Sequence, residues 1–424
     1  MQSNYLQLAD LAKKIEYREN IKLDDFKNVK KYLDSFHEVK EEDLCNLYHS
    51  VRFLRNTCIN SKKNQDTILS ANLLPAFINI LKKLLDMQLM VLNKEMLLKC
   101  NKICMEFLGN LVVQNNAAVK SVWDLCSSFM LFHIMSNMDS HGKDITCMVL
   151  FNCLKEREEL FEKEDDIWLL ISIIEHCINY EDAEWGVFVI QLVIRCKNFT
   201  LLYKNLIDYP EYRLFLLDVL LEDLNCCKYI SKEETFLFFA ENFESKSLCI
   251  MMLVAEDCQQ FHEESLLLYK TLSLLCEATS HVKFTLLRQK KSLMQCALGL
   301  LKNIASVDLT VNINEKSPTF GFKRDLIRLI GNMSYQNEAI QNEVHDSGGI
   351  PLILNACSID EKNPYIMQWS IFATRNLCEG NVRNQRVIKD LEQQGLASND
   401  ILTDSHVCVK IIDGKVKLGP IDYT

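Results

Sequence analysis

Glycine and proline are scarce in this chain, with 12 and 6 among 424 residues, about a third of their ordinary share. Hairpins, tight turns and phosphate-cradling loops draw on glycine for positive φ and on proline for fixed φ. The shortage argues against sandwiches, barrels and most Gly-rich nucleotide-binding folds, and leaves helix. Cationic excess is missing too: 47 Lys and Arg stand against 57 Asp and Glu, a net charge of −10. A general phosphate-backbone binder needs a basic face, so no nucleic-acid partner is expected. The longest apolar runs, such as Leu248 to Ala255, fall far short of the roughly 18 residues of a membrane span, and no membrane insertion is expected. The 18 cysteines include no C-x-x-C and, apart from Cys226 and Cys227, lie singly among apolar residues. They read as small buried thiols in a reducing compartment. With no apolar leader behind Met1, a cytosolic or nuclear protein is expected.

What is present is a repeat. Phe53-Leu54-Arg55-Asn56, Phe107-Leu108-Gly109-Asn110, Leu329-Ile330-Gly331-Asn332 and Ala373-Thr374-Arg375-Asn376 each end a segment of helical period. Twelve residues beyond each Asn stands a β-branched residue: Ile68, Val122, Val344 or Ile388. Nine beyond three of them stands Gln65, Gln341 or Gln385, and nineteen beyond two of them stands Pro75 or Pro351. The spacing predicts a helix ending at the Asn, a short helix with the Gln, and a turn into a second helix whose first turn tolerates proline. Asn332 to Asn376 is 44 residues and Asn110 to Asn152 is 42. Those periods match an armadillo or HEAT-type unit of three helices.

The long third helices carry their burial in their pattern. Phe322, Leu326, Leu329, Ile330 and Met333 form one helical stripe. In the helix from Ile366, Ile371 and Phe372 add a second apolar flank, which predicts neighbours on both sides, as in an interior repeat. The stretches 185–220 and 236–276 keep the period without the Asn-Gln-Pro marks and read as long apolar helices of degenerate repeats. The polar, turn-rich stretch 306–321 reads as a loop. Alternation on either side of Asp413-Gly414 predicts a hairpin. The expected organisation is N-terminal armadillo-like repeats over 1–305, a loop over 306–321, C-terminal repeats over 322–399 and a hairpin tail over 400–424. The fold class is an all-α, armadillo/HEAT-like solenoid of about eight or nine repeats.

From Phe322-Lys323-Arg324-Asp325-Leu326-Ile327-Arg328-Leu329-Ile330-Gly331-Asn332, through Gly349-Ile350-Pro351 and Trp369-Ser370-Ile371-Phe372, to Glu392-Gln393-Gln394-Gly395-Leu396, the chain resembles the C-terminal domain of the ataxin-10 family. The resemblance covers roughly the last quarter of the chain; upstream only the armadillo texture and the 51–81 block share it. It implies a cytoplasmic armadillo-like protein without known catalysis, with perinuclear or midbody placement. It further implies self-association through 322–424 and links to neuronal survival, neurite outgrowth and cytokinesis.

Several constellations are candidates for function. Asn56, Asn110, Asn332 and Asn376, with Arg328, Trp369 and Arg375, mark a candidate groove for a protein partner. Importin-type arrays pair each such Asn with a Trp four residues earlier; here those positions are Arg52, Glu106, Arg328 and Phe372. The structural alternative has each Asn capping its own third helix. Glu158, Glu159, Glu162, Glu164, Asp165 and Asp166 form an acidic run, either a solvated face or a docking patch for a basic partner. Ser317, before Pro318, is a candidate phosphosite. Cys258 and His262 have no second ligand pair nearby, so no metal is expected. No nucleophile–base–orienter set is visible, so neither enzyme activity nor a cofactor is expected. The sequence therefore points to a non-catalytic scaffold for protein partners. A regulator of a G protein or other enzyme, of exchange-factor or chaperone type, is the alternative, with a nuclear-transport adaptor third.

Overall fold

The structure, a computed structural model, describes residues 2–36, 39–87, 93–163, 166–226, 232–255, 262–306, 320–357, 360–390, 407–412 and 415–420. Twenty-three α-helices account for most of these residues. The chain is an all-α, armadillo-like solenoid, divided into a unit of residues 1–231 and a unit of residues 232–424.

Local chemistry sets each repeat. Four residues beyond each junction Asn, the backbone turns left-handed, at Asn60, Gln114, Gln336 and Gly380 (φ 52, 54, 49 and 73°). The next residue caps the short helix: the side chains of Ser61, Asn115, Asn337 and Asn381 accept the backbone N–H of Asn64, Ala118, Ile340 and Asn384. That bond satisfies one of the orphan donors of a helix start. The β-branched residue three-quarters of the way along then faces inward, with Ile68, Val122 and Val344 all buried. A second left-handed residue, Asn72 or Gly348 (φ 52 and 69°), leads into the helices that carry Pro75 and Pro351.

Within the first unit, third helices stack in the order Gln2–Leu11, Leu44–Thr57, Lys94–Val112, Ser140–Leu154 and Glu184–Arg195. A second layer runs alongside them through Leu23–Asp34, Leu73–Asp86, Ser128–Ser136 and Asp166–Asn179. In the second unit the third helices are His262–Ser280, Phe322–Ser334 and Ile366–Cys378, beside Glu233–Ala255, Lys291–Ser306 and Gly349–Asn355. The core lies between the layers. Leu326, Leu329, Ile330 and Met333 are fully enclosed. Gly331 sets the close approach of its helix to the next: a Cβ there would stand 3.1 Å from the Ala373 backbone.

Two expectations change. The stretch 185–220 is not continuous helix: it divides into Glu184–Arg195, Phe199–Asn205 and a helix opened by Pro210. Proline at a first helical position sets a start, which apolar periodicity alone does not register. The second apolar flank of Ile366–Cys378 is only partly covered: Phe372 is half-buried beside Gly331, while Ile371 is 58% exposed. The 306–321 loop falls mostly on 307–319, outside the described residues. At the C-terminus, Val407–Ile412 and Lys415–Pro420 pair antiparallel, with Val409 opposite Leu418. Asp413 and Gly414 lie outside the described residues, as do the side chains of both strands. Among the described residues no single helix is long and apolar enough to cross a membrane, and no cluster of three or more metal-ligating side chains occurs.

Candidate functional site

The junction asparagines form a ladder from repeat to repeat. Asn110 Nδ2 donates to the carbonyl of Arg55 at 3.1 Å, and Asn376 Nδ2 to that of Gly331 at 2.9 Å. In each case the acceptor precedes the junction residue of the previous repeat. Asn56 reaches Ala9 O at 2.7 Å and Asn332 reaches Cys276 O at 2.8 Å, so Asp10 and Glu277 occupy the junction position in repeats that lack the Asn. Asn56, Asn332 and Asn376 are buried. Both earlier readings of these residues need correction. Their amides do not cap their own helices, since each donates to a carbonyl of the preceding repeat. Nor are those N–H groups available to clamp a peptide backbone, because the neighbouring repeat holds them.

The glutamines complete the ladder in the forward direction. Gln65 Nε2 donates to Asn110 O at 2.8 Å and Val113 O at 3.3 Å. Gln341 Nε2 donates to Asn376 O at 2.9 Å and Glu379 O at 3.2 Å. Each Gln thus closes the exposed end of the next third helix, where carbonyls lack intrahelical partners.

The positions four before the Asn also bridge repeats. Arg52 pairs with Asp10 at 2.9 Å and Arg328 with Glu277 at 2.6 Å, while Glu106 at the same position pairs with Arg55. A hydrogen bond from Lys13, with Arg52 beside it, holds the Asp10 carboxyl below its ordinary value. At three of the four positions where an importin-type array would show tryptophan, this chain has ion pairs between repeats; the fourth is Phe372. The aromatic surface sits elsewhere. Trp369 lies edge-on to Phe372 (centroids 5.6 Å apart), with the Arg328 guanidinium 5.1 Å from the Trp369 ring.

Trp369 and Phe372 border a cavity of about 560 Å³ in the second unit, lined also by Thr279, Ser280, Arg288, Asn332, Tyr335 and Gln368. It spans three successive third helices and is of ligand-pocket size. Arg375, by contrast, is exposed at the end of Ile366–Cys378. Sequence reasoning picked out Asn332 and Trp369 but missed Arg288, Tyr335 and Phe372 as a set. The signal was present in Phe372, which replaces the bridging charge four before Asn376.

The acidic run is smaller than its sequence. Glu158, Glu159 and Glu162 are exposed, and Glu158 pairs with Lys197. Asp166 is only 5% exposed and leaves the patch: it opens the helix Asp166–Asn179, where its Oδ2 accepts the backbone N–H of Lys163. A carboxylate at a helix start faces the positive end of the helix dipole. Glu164, Asp165 and Ser317 lie outside the described residues, as does Cys258.

Comparison with known proteins points one way. A family model described as "Spinocerebellar ataxia type 10 protein domain" matches residues 322–419. Ataxin-10 of Xenopus tropicalis is 28% identical over 392 residues, 87% of this chain and 80% of the relative. This chain is ataxin-10-like. Human ataxin-10 is likewise 28% identical, over 83% of the chain and 77% of its own length. The ataxin-10 homolog of Dictyostelium discoideum reaches 53% identity across 93 residues, 22% of this chain and 15% of its own. Among solved structures, an engineered protein covers 89% of the chain and 94% of its own length at 12% identity with a TM-score of 0.38, too low to bear on the argument. Ataxin-10-like sequence and helical repeats together describe a scaffold-like protein.

Proposed function

We propose that this ataxin-10-like chain is a non-catalytic cytoplasmic scaffold that binds protein partners along the third-helix face of its C-terminal unit. The observation that carries the reading is the aromatic cavity bordered by Trp369, Phe372 and Tyr335, open on a face otherwise closed by bonds between repeats. The matching family model, named for homo-association, supports self-association through 322–424. The roles in neurite outgrowth and cytokinesis rest on the ataxin-10 likeness, and the exposed glutamates 158, 159 and 162 offer a second, basic-partner surface.

The test compares native complexes of the intact chain with those of Trp369→Ala and Phe372→Ala, quantified by mass spectrometry at matched melting temperature. Loss of at least one stoichiometric partner from both variants is expected. An unchanged set of partners would place the binding face elsewhere. Sedimentation of the intact chain against a 1–321 truncation tests self-association separately.

A further inference from the structure

Arg288 stands where the ladder has glutamine elsewhere. Its Nη2 donates to Asn332 O at 3.2 Å and to Tyr335 O. Those acceptors are the junction residue and the third residue after it, the same pair that Gln65 takes in Asn110 and Val113 and Gln341 takes in Asn376 and Glu379. A neutral amide therefore performs this structural task twice in the same chain. Here a cation performs it, and the charge needs another reason.

That charge is enclosed and uncompensated. Arg288 is only 9% exposed, its Nε has no hydrogen-bond partner, and among the described residues no carboxylate pairs with it. The bridging arginines behave differently: Arg52, Arg55 and Arg328 each meet an Asp or Glu. The contact Arg288 does have beyond the two carbonyls is the Tyr335 ring, 5.9 Å away. Burial pushes the guanidinium below its ordinary pKa, the mark of a cation short of a counter-charge. Removing a charge from water is repaid only by an opposite charge with good geometry.

The surroundings say what that counter-charge belongs to. Arg288 is the one charged residue among the eight lining the cavity. Tyr335, Trp369 and Phe372 supply flat apolar walls, and exposed Gln368 supplies an amide at the rim. The hydroxyls of Thr279 and Ser280 donate back to their own helix, leaving oxygen lone pairs as acceptors for a peptide N–H. Glu277, the nearest acid in sequence, is neutralised by Arg328. A single cation between aromatic walls suits one carboxylate with an apolar neighbour. A polyanion such as nucleic acid would meet a chain of net charge −10 and no basic stripe.

We propose that this cavity is a recognition pocket for an acidic segment of a partner protein, with Arg288 paired to an Asp or Glu carboxylate and Trp369 and Phe372 packed against the adjoining apolar side chain. The proposal rests on the groove reading above and adds its chemistry. Arginine suits the role because its planar fork donates to backbone carbonyls through one nitrogen and to a carboxylate through the others.

The test uses the intact chain and a library of random dodecapeptides displayed on phage. Arg288→Gln is the decisive variant, because glutamine already holds this ladder position in two other repeats and so preserves the repeat-to-repeat bonds. Peptides selected by the intact chain and displaced by Trp369→Ala should carry an Asp or Glu beside an apolar residue. Their affinity should fall at least tenfold in Arg288→Gln at unchanged melting temperature. Amidating the carboxylate, Glu→Gln or Asp→Asn in the peptide, should cost as much on the intact chain and nothing further on Arg288→Gln. Peptides that need Trp369 yet bind Arg288→Gln equally well would overturn the carboxylate pairing and leave the groove standing. A library yielding no peptide sensitive to either residue would overturn both.

Discussion

The repeats at 44–125 and 262–389 and the repeats at 128–226 face the same task, attaching one layer of helices to the next, and they meet it differently. In the first set a recurring pair does the work: Asn110 and Asn376 reach back one repeat and Gln65 and Gln341 reach forward. In the middle, Asn152 sits 42 residues after Asn110 yet donates to Met148 O, inside its own helix, at 3.0 Å. The couplings there are individual. Asp144 accepts the backbone N–H groups of Trp185 and Gly186, Asn198 exchanges bonds with the backbone of Leu160, and Arg195 pairs with Asp223. The lesson is that a solenoid needs its helix ends satisfied at every step, but not by the same residues.

Breaking the ladder at its best-connected rung should have the largest effect. Gln341→Ala removes three bonds, to the carbonyls of Ser334, Asn376 and Glu379, and should cost about 2–3 kcal/mol, read from urea unfolding. The same substitution at Gln385, exposed and with its side chain bonded among the described residues to Cys378 O alone, should stay within about 0.5 kcal/mol. Equal losses would mean that the bonds between repeats are not what the motif supplies.

The backward rung sharpens the contrast. Asn332→Ala removes the bond that ties its helix to the Cys276 carbonyl, which keeps the Thr279 hydroxyl as a donor, and should cost about 1–1.5 kcal/mol. Asn152→Ala removes a bond within one helix and should cost about 0.5 kcal/mol or less. Equal values would make Asn152 a true rung.

Turn geometry gives a somewhat smaller effect. Gly348 is left-handed with open space where a Cβ would project, so Gly348→Ala carries conformational strain alone, about 1 kcal/mol. A chain unchanged in stability would show that the turn relaxes. Gly349 differs: its Cβ would meet Leu298 and Val344 within 3 Å.

The two regions also share a dependence on pH. Burial pushes the thiols of Cys100, Cys126, Cys153, Cys177 and Cys196 from an ordinary 9.0 up to about 12. Below pH 9 these groups are protonated in both folded and unfolded chains and stability is flat. Between 9 and 12 the unfolded chain releases protons that the native chain keeps, so stability falls as pH rises. Urea midpoints at pH 8 and pH 10 should show that loss, and a midpoint that rises would reject it. The smallest effect belongs to the surface. Removing the exposed Glu158–Lys197 pair with Glu158→Gln should leave the urea midpoint unchanged.

The recurring marks were legible because their spacings survive, Asn and the β-branched residue in four places, Gln in three and Pro in two. The capping position five beyond the Asn was not, although Ser61, Asn115, Asn337 and Asn381 are all ordinary cap residues. The left-handed residue before it changes identity from Asn to Gln to Gly, so no single letter announces the turn. Arg288 was invisible for a different reason. It follows the junction residue Glu277 by eleven positions instead of nine, and nothing about an arginine says that it will replace a glutamine.

By itself, the sequence determined that this chain is helical, repetitive and joined at asparagines, because helical period, scarce glycine and proline, and recurring spacing are all properties of neighbours along the chain. What those asparagines do was decided in three dimensions. An amide that could cap its own helix, clamp a peptide or bridge repeats is directed to one of these by which carbonyl lies within about 3 Å, and that carbonyl comes from a helix some 45 to 55 residues away. The aromatic cavity and its lone cation arise the same way: residues from 279 to 372 converge because stacked third helices bring the same helical turn of successive repeats side by side.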